Sequence, residues 1–168
     1  MNNRQTSGSD APGRTSVVRT SDVEMTVTRS FNAPARIVFE AWTKPELFMR
    51  WWVPKSIGVQ LRSCEMDVRT GGSYRLEFGN DGETAFTFFG KYLEVVPASL
   101  LVWTNEEEAD GAVSTVRFVE EGGRTLLTFS EVYPTKAALD GSLGGMDAAP
   151  EQFEQLDAVL ATMIESGA

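Results

Sequence analysis

From Val23 to Phe31 the chain alternates. Val23, Met25, Val27, Arg29 and Phe31 share one side, and Glu24, Thr26, Thr28 and Ser30 the other. A period of two predicts a half-buried strand. The period then lengthens. Ile37, Val38, Ala41 and Trp42 recur at helical spacing behind Pro34, whose missing N–H costs nothing in a first turn. A second short helix is predicted over Leu47, Phe48, Trp51 and Trp52. Thr43 and Glu46 have the spacing of a capping box, Pro45 sits in the first turn, and Pro54 ends the helix.

Beyond Pro54 the period returns to two. Strands are predicted at 57–68, around Tyr74, Leu76 and Phe78, at 84–96, at 100–104 around Trp103, at 113–119 and at 125–133. Gly71-Gly72, Asn80-Asp81-Gly82, Pro97-Ala98-Ser99 and Gly122-Gly123 supply the turns. Gly90 interrupts its strand, where a bulge or bend can change which residues face inward. Residues 136–146 carry Gly141, Ser142, Gly144 and Gly145 and read as a flexible connection. Phe153, Leu156, Leu160, Met163 and Ile164 then repeat at three and four, an amphipathic helix between Pro150 and Gly167. The order is a strand, two short helices, six antiparallel strands and a long C-terminal helix. That helix needs a partner for its apolar stripe, and the concave face of the sheet is the only large one.

Residues 1–20 hold little that is apolar before Val17 and Val18 and read as a disordered tail, leaving residues 21–168 as a single domain. With 42% apolar and 23% charged residues, the chain has the composition of a soluble globular protein. No signal peptide or membrane-length apolar run is evident, so a cytoplasmic location is expected. Residues 21–168 carry 12 basic and 23 acidic side chains, a net −11. This argues against nucleic-acid and anionic-membrane partners.

The chain has no histidine and one cysteine, Cys64. Triads built on histidine are excluded, and no metal or cofactor is expected. Cys64 reads as a small buried hydrophobe. Asp67 and Arg69 read as an ion pair that fixes the turn at Gly71-Gly72. The acidic run Glu106-Glu107-Glu108 reads as a solvated hairpin tip.

Several stretches together carry a family resemblance: Ala33-Pro34 with Val38-Phe39-Glu40-Ala41-Trp42, Pro45-Glu46-Leu47 with Trp51-Trp52-Val53-Pro54, residues 67–72, Gly90 to Pro97, Leu101-Val102-Trp103-Thr104 and Gly123-Arg124-Thr125. The chain resembles the activator of heat-shock-protein-90 ATPase homologue-like proteins, within the START/SRPBCC superfamily. The resemblance covers roughly residues 23–165. It implies an α+β helix-grip fold (START/Bet v 1-like), β-α-α-β(6)-α, with a curved antiparallel sheet around the long helix and a cavity between them. Where the family pattern has Gly-Trp at the start of the last helix, this chain has Gly145-Met146-Asp147.

For that cavity the candidate ligand-binding residues are Trp42, Trp52, Tyr74, Phe78, Phe88, Trp103, Phe129, Glu131, Tyr133, Met146 and Phe153. Any one of these aromatics reads first as core packing, and the set together as walls of a cavity. Glu131 shares the apolar side of its strand with Leu127, Phe129 and Tyr133. A carboxylate aimed inward needs a partner or takes up a proton. Tyr74, Tyr92 and Tyr133 are the candidate partners. Three function classes stay open: a binding module for an apolar or aromatic small molecule, a cavity enzyme with Glu131 or a tyrosine as acid or base, and a partner-binding protein, either a chaperone-ATPase regulator or a homodimer.

Overall fold

The computed structural model describes residues 14–80, 86–142 and 148–167. Its strands are β1 (Ser16–Arg19), β2 (Glu24–Phe31), β3 (Gln60–Met66), β4 (Ser73–Gly79), β5 (Phe86–Val96), β6 (Leu100–Thr104), β7 (Val113–Glu121) and β8 (Arg124–Val132). Its helices are α1 (Ala35–Thr43), α2 (Pro45–Phe48), α3 (Lys136–Gly141) and α4 (Ala149–Glu165), with a 3-10 turn at Lys55–Ile57. The strands form one antiparallel sheet in the order β1-β2-β8-β7-β6-β5-β4-β3. No helix among the described residues is long and apolar enough to cross a membrane.

Period two fixes the buried face of β2. Met25, Val27, Arg29 and Phe31 are all buried. On α4, Phe153, Leu156, Val159, Leu160 and Met163 face the core. Ile164, assigned to the same stripe by spacing, is exposed, and Val159 takes its place. Among the described residues Arg29 is the one buried charged side chain, at 3% exposure. Its Nη1 donates to the Phe153 carbonyl at 2.6 Å, its Nη2 lies 3.5 Å from Asp157, and its guanidinium sits 4.7 Å over the Phe31 ring. Its Nε has no partner among the described residues.

Trp42 is the hub of the helix pair. Phe48, Trp51, Trp52, Trp103, Phe118, Phe129 and Phe153 surround its ring at centroid distances of 4.7–6.5 Å. Trp51 is fully buried and donates from Nε1 to the Ala41 carbonyl at 3.0 Å. The carbonyls that follow are capped from α4, since Gln155 donates to Trp51 and Val53 and Gln152 donates to Trp52. The Trp-Trp stretch is thereby tied to the first turns of the last helix.

Several local expectations change. Composition assigns residues 16–19 to a tail, but they pair with β2 as an eighth strand, and Arg19 adds a 2.8 Å ion pair with Asp140 of α3. Residues 1–13 lie outside the described residues, as do Asp81 and Gly82 of the expected hairpin turn. The Thr43 capping box does not form. Lys44 is the N-cap of α2, and the Thr43 hydroxyl turns back to the Phe39 carbonyl at 2.8 Å. The strand expected from residue 57 begins at Gln60, after the 3-10 turn.

Residues 136–141 are helical rather than flexible, because Thr135 caps them by accepting from the Ala138 N–H at 3.0 Å. Facing along β5 does not change at Gly90. Phe88, Gly90 and Tyr92 keep alternation, and the β5–β6 register slips between Tyr92 and Glu94. Gly90 answers a different need, since a Cβ there would lie 2.2 Å from the Thr104 carbonyl oxygen. The Asp67–Arg69 ion pair forms at 3.0 Å, over a turn in which a Cβ on Gly72 would meet the Asp67 carbonyl oxygen at 2.0 Å.

Candidate functional site

Between α4 and the sheet, where the resemblance implies a cavity, the side chains of Phe153, Leu156, Val159, Leu160 and Met163 are buried. The open space lies toward the N-terminal end of α4, where Ala148 and Gln152 are the residues of 148–167 that reach it. There a hollow of about 540 Å³ opens between the concave face of the sheet, the segment from Trp52 to Val59, and α3. Period two on β4, β5, β6 and β8 brings Phe78, Phe88, Trp103 and Phe129 to its walls. Trp103 and Phe129 stack at 6.0 Å, and Phe78 stacks on Phe86 at 4.8 Å. Ala137, Ala138 and Gly141 of α3 form a small-residue wall opposite, and the loop after β6 supplies a rim.

A hydrogen-bonded strip of polar side chains runs to this hollow. The Tyr74 hydroxyl donates to the Thr104 carbonyl at 2.7 Å and lies 3.3 Å from Asn105 Oδ1. Asn105 Nδ2 donates to Ser114 Oγ at 2.9 Å, and Ser114 Oγ donates to Glu131 Oε2 at 3.1 Å. From the other side the Tyr133 hydroxyl donates to Glu131 Oε1 at 3.0 Å. The strip exists because the β7–β8 register sets Ser114 opposite Glu131. On the β2 side Glu131 faces Met25, which offers no polar atom to pair with it.

Burial raises the Glu131 carboxyl above its ordinary range. The Tyr133 and Ser114 hydroxyls hold it down, and Glu107 pushes it further up. Burial, with the Glu131 charge beside it, pushes the Tyr133 phenol up to about 12. Tyr74 and Tyr92 are also raised, again chiefly by burial. The Cys64 thiol, half-buried against the core, is pushed up to about 12. An elevated thiol is a poor nucleophile.

The candidate residues divide. Trp52, Phe78, Phe88, Trp103, Phe129, Glu131 and Tyr133 all border the hollow. Trp42 and Tyr74 instead border a void of about 30 Å³ that shares Trp52, Phe88, Trp103 and Asn105 with it. Phe153, at 1% exposure, packs edge-on against Phe31 and Trp42 and is core. Met146 lies outside the described residues. Of the three tyrosines offered as partners for Glu131, Tyr133 is the one that bonds it.

Asn105 and Ser114 carry no local signal in the sequence. They become visible only once the cross-strand register is known. The acidic run is more than a solvated tip: Glu107, Glu108 and Asp110 form the rim of the hollow. The loop is folded back by Glu106, whose N–H donates to the Phe89 carbonyl at 2.8 Å, and by Glu107, which accepts from the Phe89 N–H at 3.2 Å. Among the described residues no three carboxylate or thiol groups come together as metal ligands.

The architecture recurs in solved structures. A protein from Rhodobacter sphaeroides superposes with a TM-score of 0.78 at 23% identity, covering 89% of this chain and 99% of its own. One from Nitrosomonas europaea gives 0.76 at 20%, covering 84% and 96%. One from Mycobacterium smegmatis gives 0.75 at 22%, covering 86% and 95%. At these identities the likeness is one of fold, a curved antiparallel sheet gripping a C-terminal helix. Among curated proteins none matches the sequence. The family model described as "Activator of Hsp90 ATPase homolog 1-like protein" matches residues 32–161, which span both the helix pair and α4, and the chain belongs to that family.

Proposed function

We propose that this protein binds an apolar or aromatic small molecule in the hollow between the sheet, the Trp52 to Val59 segment and α3. One observation carries the reading: a space of about 540 Å³ walled by aromatic rings, with a hydrogen-bonded carboxyl group on one side. Ligand pockets commonly measure roughly 300–1,000 Å³ and combine apolar walls with a few orienting polar groups. The test is native mass spectrometry of protein gently purified from its own cells, followed by a thermal-shift screen of aromatic and lipid compounds. A retained small molecule, or a saturable rise in melting temperature, supports the proposal. Neither appearing would overturn it.

Glu131 favours a second reading, catalysis in the same hollow. Burial raises the proton affinity of this carboxyl group, and an acid placed at the wall of a hollow can pass a proton to a bound molecule. Glu131→Gln separates the two. Binding alone predicts a changed affinity with the compound recovered intact. Catalysis predicts that wild type converts the compound and the variant does not, read by chromatography after incubation.

A further inference from the structure

Resting on that binding reading, we propose that the hollow selects a lipophilic cation, an apolar or aromatic body carrying a protonated amine. The charge on its walls is one-sided. Glu107, Glu108, Asp110 and Glu131 line it, and among the described residues no lysine or arginine does. The net charge of −9 adds to the same field. An anionic ligand would enter against four carboxyl groups with no counter-charge. A neutral one would leave them unused.

The positions suit a cation with an apolar body. Phe78, Phe88, Trp103 and Phe129 take the body, and an indole or phenyl face also attracts an ammonium placed over it. Each oxygen of Glu131 already accepts one hydrogen bond, from Ser114 or Tyr133. A carboxylate has about four acceptor positions, so both oxygens keep capacity for an N–H donor. The titratable groups acting on Glu131 are Tyr133 beside it, Glu107 on the rim loop and Tyr74 on β4. None is a cation, so the ligand's ammonium would be the first positive charge at that carboxyl. Among the described residues the acidic groups are not arranged to chelate a bare metal ion, and the aromatic walls suit an organic cation.

The experiment uses the full chain and three probes of matched size at neutral pH: naphthylmethylamine as cation, naphthylmethanol as neutral form and naphthoate as anion. Affinities are measured by calorimetry at low and high salt. The amine is expected to bind at least about tenfold more tightly than the alcohol, a difference of about 1.4 kcal/mol. Naphthoate should bind weakest, and the spread should narrow with salt. In Glu131→Gln, and separately in the rim double variant Glu107→Gln/Glu108→Gln, the ratio of amine to alcohol affinity should fall. Equal affinities, or a preference for naphthoate, overturn the charge preference and leave the small-molecule reading standing. An advantage undiminished in both variants overturns its assignment to these carboxylates. Binding by none of the three overturns this proposal and the reading beneath it together.

Discussion

Glu131 concentrates the chemistry of the molecule in one side chain. Its proton affinity in the folded protein is raised above the ordinary value of 4.5, with burial the largest cause. The protonated form is therefore favoured by folding. The stability linked to this group is fully present below pH 4.5 and is lost as the pH rises through the elevated folded value. Glu131→Gln removes that titration while keeping the shape. The variant should melt close to wild type at pH 4 and above it at pH 8, by about 2–4 °C for each kcal/mol recovered. A scan of melting temperature against pH checks this, and parallel curves for the two proteins would refute it. The inward aim of Glu131 was legible from its spacing with Phe129. Its partnership with Ser114 was not, because a cross-strand pair depends on register, and register is set by turns and by neighbouring strands.

At the scale of elements, the joint between β2 and α4 combines legible and illegible parts. The apolar face of β2 follows from its period, and Arg29 sits on that face by the same count. Nothing local says that a guanidinium there would staple the Phe153 carbonyl. Such a staple has a cost, since burial lowers the proton affinity of Arg29 against the pull of Asp157 and Glu154, and Nε stays unpartnered. A buried charge is often matched or exceeded in stability by an apolar side chain of similar volume, whereas a truncation leaves a cavity. Arg29→Met should therefore be at least as stable as wild type in urea denaturation, while Arg29→Ala should lose about 2–4 kcal/mol. If both lose the same, the charge rather than the volume holds the joint. The third helix shows the opposite failure of legibility. Glycine and serine near its end suggested a flexible connection, yet a threonine cap and one buried side chain, Leu139, contribute to ordering a turn and a half.

On the scale of the whole molecule, the edge of the sheet and the wall of the hollow are linked through one side chain. The polar composition of residues 1–20 hid β1, because an edge strand pairs through its backbone and needs only Val17 packed inward. Arg19, the last residue of β1, reaches Asp140 of α3, where Lys136 also bonds, and α3 carries Ala137, Ala138 and Gly141 to the hollow. Exposed ion pairs contribute little to global stability, so their effect should be local. Deleting residues 1–20 removes the β1–β2 pairing and the contact to α3 together. Arg19→Ala removes the contact and spares the pairing. The deletion should lower the melting temperature by several degrees and expose the β2 edge. The point variant should barely move it. Both should speed amide hydrogen exchange across Lys136–Gly141, a helix too short to hold without outside contacts. If exchange in that helix is unchanged in both proteins, the edge strand is only a cover for β2, and the wall of the hollow is held from within.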